Sequence, residues 1–363
     1  MSVTKRRIPW TYVMSGLLLA VLLALVVRSW DQIRVKGLEA VALVEAARPI
    51  WLVLAAIAIL AGFLCAGQIY GRVLATLGYK APPLWLSAAS LVTILLSQAL
   101  PVGTVASYAF LTTSLRRRGV PATSVAVIAS LELLSWGGAM LILFVYGMIY
   151  VLATTSNSSI ARASLTGFGT VVLLICAYLF VGSRPRETLH SWAMRAKRVI
   201  ERLFGPIWHD SQVQRMIDEL AHNRQLMIEQ PARVLLLICL QLSIFTLHSV
   251  ALLAILRGMG IAIAPLAALA AYGLALIVST YTLLPAGGGT VEAALTVALT
   301  VQGVPLEAAL GATVLFRLFN FWLLLPVGLL CYRALMRPAA DQRPFDAAQP
   351  IAPPTPCGEP EDR

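Results

Sequence analysis

Charge is scarce in this chain. Of 363 residues only 12% are Asp, Glu, Lys or Arg, against 59% hydrophobic. Soluble domains carry about 25% charged residues, so the composition excludes an ordinary water-soluble fold. Acids are scarcer than bases, 17 against 28, for a net charge of +11. In a membrane protein such an excess reports topology first, because cytoplasmic loops collect Lys and Arg. The bases lie in loops between apolar runs and form no nucleic-acid-binding motif, so nucleic acid is not an expected partner. Cysteine and histidine are few, at five and four. Cys65, Cys176, Cys239 and Cys331 lie singly in apolar runs and Cys357 lies near the end, which gives no disulfide framework. His190, His209, His222 and His248 have no metal-ligand spacing, so neither a metal nor another cofactor is implied. No nucleophile–base pair and no nucleotide loop is present, and an enzyme is not expected.

What is present is a series of long apolar runs, each near the roughly 20 residues that span a bilayer as helix. Lys5, Arg6 and Arg7 precede the first, residues 8–27. No small-residue cleavage site follows, so this reads as an uncleaved span with its N-terminus inside. Residues 28–48 mix both signs with apolar positions and fit a short helix on the outer interface. Residues 50–69 return inside, where Arg72 and Lys80 sit. Residues 81–115 then hold no charge, break at Pro101 and Gly103, and end in Arg116, Arg117 and Arg118. Basic flanks place both ends on one side, and each arm is short for a span. A re-entrant helical hairpin with Pro101 and Gly103 at its tip is the economical reading, two short spans the alternative. Spans follow at about 121–154, with Glu132 inside, and at 163–182. Residues 183–230 carry eight arginines and lysines among apolar positions, as expected of amphipathic helices on anionic inner-leaflet lipid or of a solvated linker. Residues 234–256 go out and residues 304–332, containing Arg317 and Asn320, return. Residues 336–363 show no apolar pattern and read as a disordered cytoplasmic tail.

Between the last two spans lies the most unusual stretch. Pro285, Gly287, Gly288, Gly289 and Glu292 interrupt an apolar run in which Glu292 is the only charge from Gly258 to Leu306. An ionised residue at bilayer depth faces a bundle interior or a watery cavity by default. Broken backbone at that depth survives only where protein buries it or where it lines a cavity. The glycine amides and the following helix N-terminus suit an anion, but Glu292 would repel one and suits a proton or a cationic headgroup instead.

The two broken stretches repeat. Displaced by 184 residues, Leu100, Pro101 and Gly103 fall on Leu284, Pro285 and Gly287, and Gly119, Val120 and Pro121 fall on Gly303, Val304 and Pro305. Ala109, Leu111, Thr112, Leu115, Leu131 and Leu134 fall likewise on identical residues. The span before each hairpin aligns too, 50–69 on 234–253. The first hairpin opens inward and the second outward, so the copies are inverted. Inverted repeats with broken helices at mid-membrane are a recurring transporter plan. Glu132 falls on Phe316, the neighbour of Arg317, which invites either a Glu132–Arg317 ion pair or a shared polar cavity. Arg317 would suit phosphate through its paired N–H groups.

Pro285, the three glycines and Glu292, then Gly303, then Phe316, Arg317 and Trp322, resemble the transmembrane region of the lysylphosphatidylglycerol synthetase/flippase family. The resemblance covers most of residues 8–335 and implies lipid translocation between leaflets. Many members carry an acid and an arginine after the proline of the first hairpin, and residues 102–108 here have neither. Residues 336–363 are too short for the aminoacyl-transferase domain that makes the lysyl lipid, so lysyl-lipid synthesis is not expected.

The reading is an all-α polytopic membrane protein with about six full spans and two re-entrant or broken hairpins arranged as an inverted repeat. Residues 1–335 form the membrane domain, with repeats at about 48–154 and 232–334. The expected function is translocation of a polar-headgroup lipid across a bacterial inner membrane, both termini cytoplasmic. Glu132, Glu292, Arg317 and Asn320 line the path, with the tips at Pro101, Gly103, Pro285, Gly287, Gly288 and Gly289. Partners are a membrane lipid as substrate, anionic inner-leaflet lipid along 183–230, and either a second copy or a biosynthetic enzyme. The alternatives are a proton-coupled exporter of a small amphipathic solute and a non-transporting partner of a lipid or glycan enzyme.

Overall fold

Proline and glycine set the helix boundaries. In the computed structural model, which describes residues 42–100, 103–154, 231–280, 290–337 and 345–347 with scattered helical residues between 162 and 195, α1 is Pro49–Thr76 and α2 is Pro83–Ala99. Then come α3 (Gly103–Arg117), α4 (Ala122–Thr154), α5 (Pro231–Gly258), α6 (Pro265–Thr280) and α7 (Thr290–Val301). The last span is α8 (Leu306–Arg317), a π-helical turn over Leu318–Trp322, and α9 (Leu324–Leu335). Four helices open on proline and two follow one directly, since proline lacks only an N–H that a first turn cannot use. Gly78, Gly119, Gly260 and Gly303 end helices with φ between 79° and 86°, the left-handed cap that glycine enters without strain.

Among the described residues, four stretches are long and apolar enough to cross a membrane: Pro49–Thr76, Val127–Thr154, Pro231–Gly258 and Leu306–Leu335. With α2, α6 and α7 as shorter apolar helices, they bear out an all-α polytopic membrane protein. The spans expected at 8–27 and 163–182, the interfacial helix up to residue 41, and the linker at 183–230 lie outside the described residues apart from isolated positions. So do Pro101, Pro285, Gly287, Gly288 and Gly289.

The two repeats are legible in the backbone, with one correction of register. Pro49 and Pro231, Gly78 and Gly260, and Pro83 and Pro265 are paired 182 residues apart. Gly119 and Gly303, and the helix starts Ala122 and Leu306, are paired 184 apart. The ungapped displacement therefore fails in the first part of the repeat, and the second copy is two residues longer between its second proline and its last glycine cap. The cap bonds repeat as well. Val120 N–H donates to the Leu115 carbonyl and Val304 N–H to Leu299, each at 3.1 Å. Packing follows the same pairing: α1 lies on α2 as α5 lies on α6, α2 on α3 as α6 on α7, α3 on α4 as α7 on α8, and α9 on α2 as α4 on α6, with α1 against α5 between the halves.

Helices in lipid gain little from burying apolar surface, so small residues that let backbones approach do much of the packing. A Cβ on Gly67 would lie 2.8 Å from the Ser87 amide of α2, and one on Gly273 would lie 2.7 Å from the Leu143 carbonyl of α4. Ile50, Val53, Ile57, Leu60 and Leu64 form an exposed apolar stripe on α1, the lipid face.

The first hairpin is short, with arms of 17 and 15 residues. Gly103 N–H donates to Leu100 O at 3.0 Å. A side chain at Gly103 would run into the carbonyls of Leu96 and Ser97, so glycine is what lets the chain reverse there. The tail departs from expectation. Tyr79 and Lys80 pair antiparallel, as β1 (Tyr79–Lys80), with β2 (Asp346–Ala347). Phe345 is buried, stands edge-on to Trp85 at 4.9 Å, and donates its N–H to Arg118 O. Residues 345–347 are thus docked on the basic end of the first hairpin, because an aromatic anchor and one short ladder suffice where no apolar periodicity exists.

Candidate functional site

Arg317 ends α8, immediately before the π-helical turn. Its Nε donates to Glu292 Oε1 at 2.7 Å and its Nη1 donates to Gln98 Oε1 at 2.9 Å. Its guanidinium also lies 4.9 Å from the Phe321 ring, a cation–π contact made one turn on. The three polar residues, Arg317 included, come from three elements. Gln98 stands two residues before the turn at Leu100 on the first hairpin. Glu292 is in the first turn of α7, just after the tip of the second. One guanidinium therefore joins both hairpins to the last span.

The charges are shielded unequally. The Arg317 side chain is 6% exposed and that of Glu292 is 31% exposed. Glu292 sits at a helix N-terminus, where a carboxylate is favoured by the helix dipole. Its Oε2 is buried without a hydrogen-bond partner. The site thus consists of a held cation, a neutralising acid with one open acceptor, and an amide, at the mouths of two broken helices.

Glu132 is not part of it. Its Oε1 accepts from the Tyr70 hydroxyl at 2.6 Å, linking α4 to α1, and its Oε2 has no partner. The expected Glu132–Arg317 pair is replaced by Arg317 with Glu292, because the guanidinium points to the hairpin tips. Equivalent positions in the repeats therefore do not share one polar site.

Asn320 lies in the π-helical turn and is buried. Its carboxamide is 3.0 Å from His248 Nε2, and His248 Nδ1 is 2.8 Å from Ile244 O. A carbonyl can only accept, so Nδ1 carries a hydrogen and the ring is fixed in orientation. Tyr272 stacks on it at 6.1 Å, and Gly62 faces it so closely that a Cβ would lie 2.9 Å from Cε1. Gln98 and His248 were not singled out from the sequence. The available signal was an amide in a charge-free hairpin and an imidazole in an apolar span. Among the described residues no three His, Cys, Asp or Glu side chains are grouped to hold a metal.

Residues 13–328 match the family described as "Lysylphosphatidylglycerol synthase TM region". The chain belongs to that family. A comparison with curated proteins gave no match. The match spans all of α1 to α8 and includes Gln98, Glu292, Arg317 and the His248–Asn320 pair, so the polar cluster lies within the family's membrane region. This is an integral membrane protein.

Proposed function

We propose that this protein moves a polar-headgroup lipid between the leaflets of a bacterial inner membrane. The observation that carries the proposal is the Glu292–Arg317–Gln98 cluster, which ties both hairpins to the last span. A buried ion pair is a poor source of stability, since desolvation offsets much of its Coulomb energy, so its place at the tips of two broken helices calls for a functional role. Arg317 supplies paired donors for a phosphate headgroup and Glu292 the open acceptor for a headgroup donor. Headgroup contacts replace those between the hairpins, which frees one hairpin or the other to move.

Alternating exposure follows if the repeats are inverted. Each repeat crosses the membrane an even number of times, so a returning span at 163–182 turns the second copy over. Lys80, Arg116, Arg117 and Arg118 then mark the cytoplasmic side. Both termini lie there too, and the basic stretch 183–230 contacts anionic inner-leaflet lipid. The chemistry is transport rather than catalysis, with no cofactor, and a second copy or a biosynthetic enzyme is a compatible partner.

The test is reconstitution into liposomes with headgroup-labelled lipids and dithionite quenching of the outer leaflet. Exchange is expected for wild type and expected to fall by at least about tenfold in Glu292→Gln and Arg317→Ala, the loss of one charge-assisted hydrogen bond. Exchange no faster than in empty liposomes, across anionic, zwitterionic and cationic headgroups, would overturn the proposal.

A further inference from the structure

A cleft of about 500 Å³ opens between α2, α3 and α9, and Arg317 does not line it. Leu95, Leu96, Phe110, Leu325 and Leu329 give it an apolar wall, and Leu325 and Leu329 are exposed at its lateral opening. Along α9 it runs from Leu325 to Met336, about 16 Å at 1.5 Å per residue. That is half of a hydrocarbon core about 30 Å thick, the depth of one leaflet. One end lies at Ala99 and Leu100, by the hairpin turn. The other reaches Thr113, which also lines a polar mouth of about 320 Å³ formed with Thr112, Arg116 and Arg117.

The mouth is basic, and among the described residues no acid lines it. Arg117 Nη1 donates to the Met336 and Arg337 carbonyls at 2.7 and 3.0 Å, which fixes its charge at the end of α9. Arg116 stands exposed one residue away on α3.

We propose that this cleft is a binding site for an anionic glycerophospholipid, with one acyl chain between α2, α3 and α9 and the phosphate at Thr112, Arg116 and Arg117. Apolar walls of one-leaflet depth suit a hydrocarbon chain. Guanidinium groups bind phosphate through paired N–H donors. A zwitterionic lipid brings the same chains, but its ammonium finds no acid in the mouth. Neither Glu292 nor Arg317 lines the site, so its lipid binding does not rest on the translocation reading.

The experiment is native mass spectrometry of the delipidated full chain, titrated with phosphatidylglycerol or with phosphatidylcholine of the same acyl chains. Wild type is expected to retain one phosphatidylglycerol at about tenfold lower lipid concentration than phosphatidylcholine, the worth of one charged hydrogen bond. Arg116→Glu should bring the two lipids level. Ala109→Trp, which fills the cleft from the exposed side of α3, should weaken both alike, and Ala106→Phe gives the same readout if the tryptophan variant does not fold. Val53→Trp, on the lipid face of α1, should change nothing. Equal retention of the two lipids by wild type would overturn the proposal, as would cleft-filling variants that hold phosphatidylglycerol as Val53→Trp does.

Discussion

Arg317 donates through different nitrogens to Glu292 and Gln98, groups on different hairpins. Removing its side chain leaves Glu292 charged and partly buried, a change that typically costs about 3–5 kcal/mol. Arg317→Ala should therefore lower the thermal midpoint in detergent strongly. The double variant Glu292→Gln, Arg317→Met should recover most of that loss while leaving lipid exchange absent. Equal destabilisation of the double variant would mean that the pair serves structure alone. At His248 the argument is steric. Gly62→Ala places a methyl 2.9 Å from a ring that Ile244 and Asn320 hold from both ends. Overpacking of this kind costs about 1–3 kcal/mol, whereas Gly137→Ala, which meets nothing within 4 Å, should be neutral in the same melt. Glu292 and Arg317 were legible in the sequence because charge in an apolar run is rare. Gln98 and His248 were not, because a single uncharged polar residue there is ordinary and its partner is chosen only by the fold.

Helix ends carry the information at the next scale. Proline and glycine marked the starts and stops of the helices in both halves, and the hairpin arms came out near the expected lengths. The two-residue difference between the repeats was hidden, since apolar residues align almost equally well at 182 or 184. Gly303 caps α7 at φ 85°, and Gly303→Ala forces a Cβ into the left-handed region at a cost of about 1–2 kcal/mol. The same change at Gly119 should cost a similar amount, because Val120 and Val304 donate across equivalent caps; unequal losses by thermal melting would break that equivalence. The docked tail was invisible in sequence because three residues have no period to read. Phe345→Ala removes the ring against Trp85 and beneath Arg118. Hydrogen exchange at Tyr79 and Lys80 should then speed up to the rate of a free loop while α2 keeps its protection. Unchanged exchange would show that the ladder holds without its anchor.

The described helices follow one plan twice over, packed together through α1 and α5. Alternating access requires those copies to face opposite sides of the membrane, and that property depends on the connection between them as well as on their own helices. The decisive positions are Lys80 and Ala262, both exposed, 182 residues apart, and each just beyond the left-handed glycine that ends the first helix of its repeat. In a background with all five cysteines replaced, Lys80→Cys and Ala262→Cys can be labelled with a membrane-impermeant maleimide. Intact spheroplasts should label position 262 and leave position 80 unlabelled until the membrane is opened. That outcome fixes the basic end of the first hairpin inside and turns the second repeat over, so one polar cluster can be reached from either face. Labelling of both positions from the same side would make the repeats parallel. Glu292, Arg317 and Gln98 would then sit between two hairpins opening the same way, a geometry that can bind a headgroup but cannot pass it across.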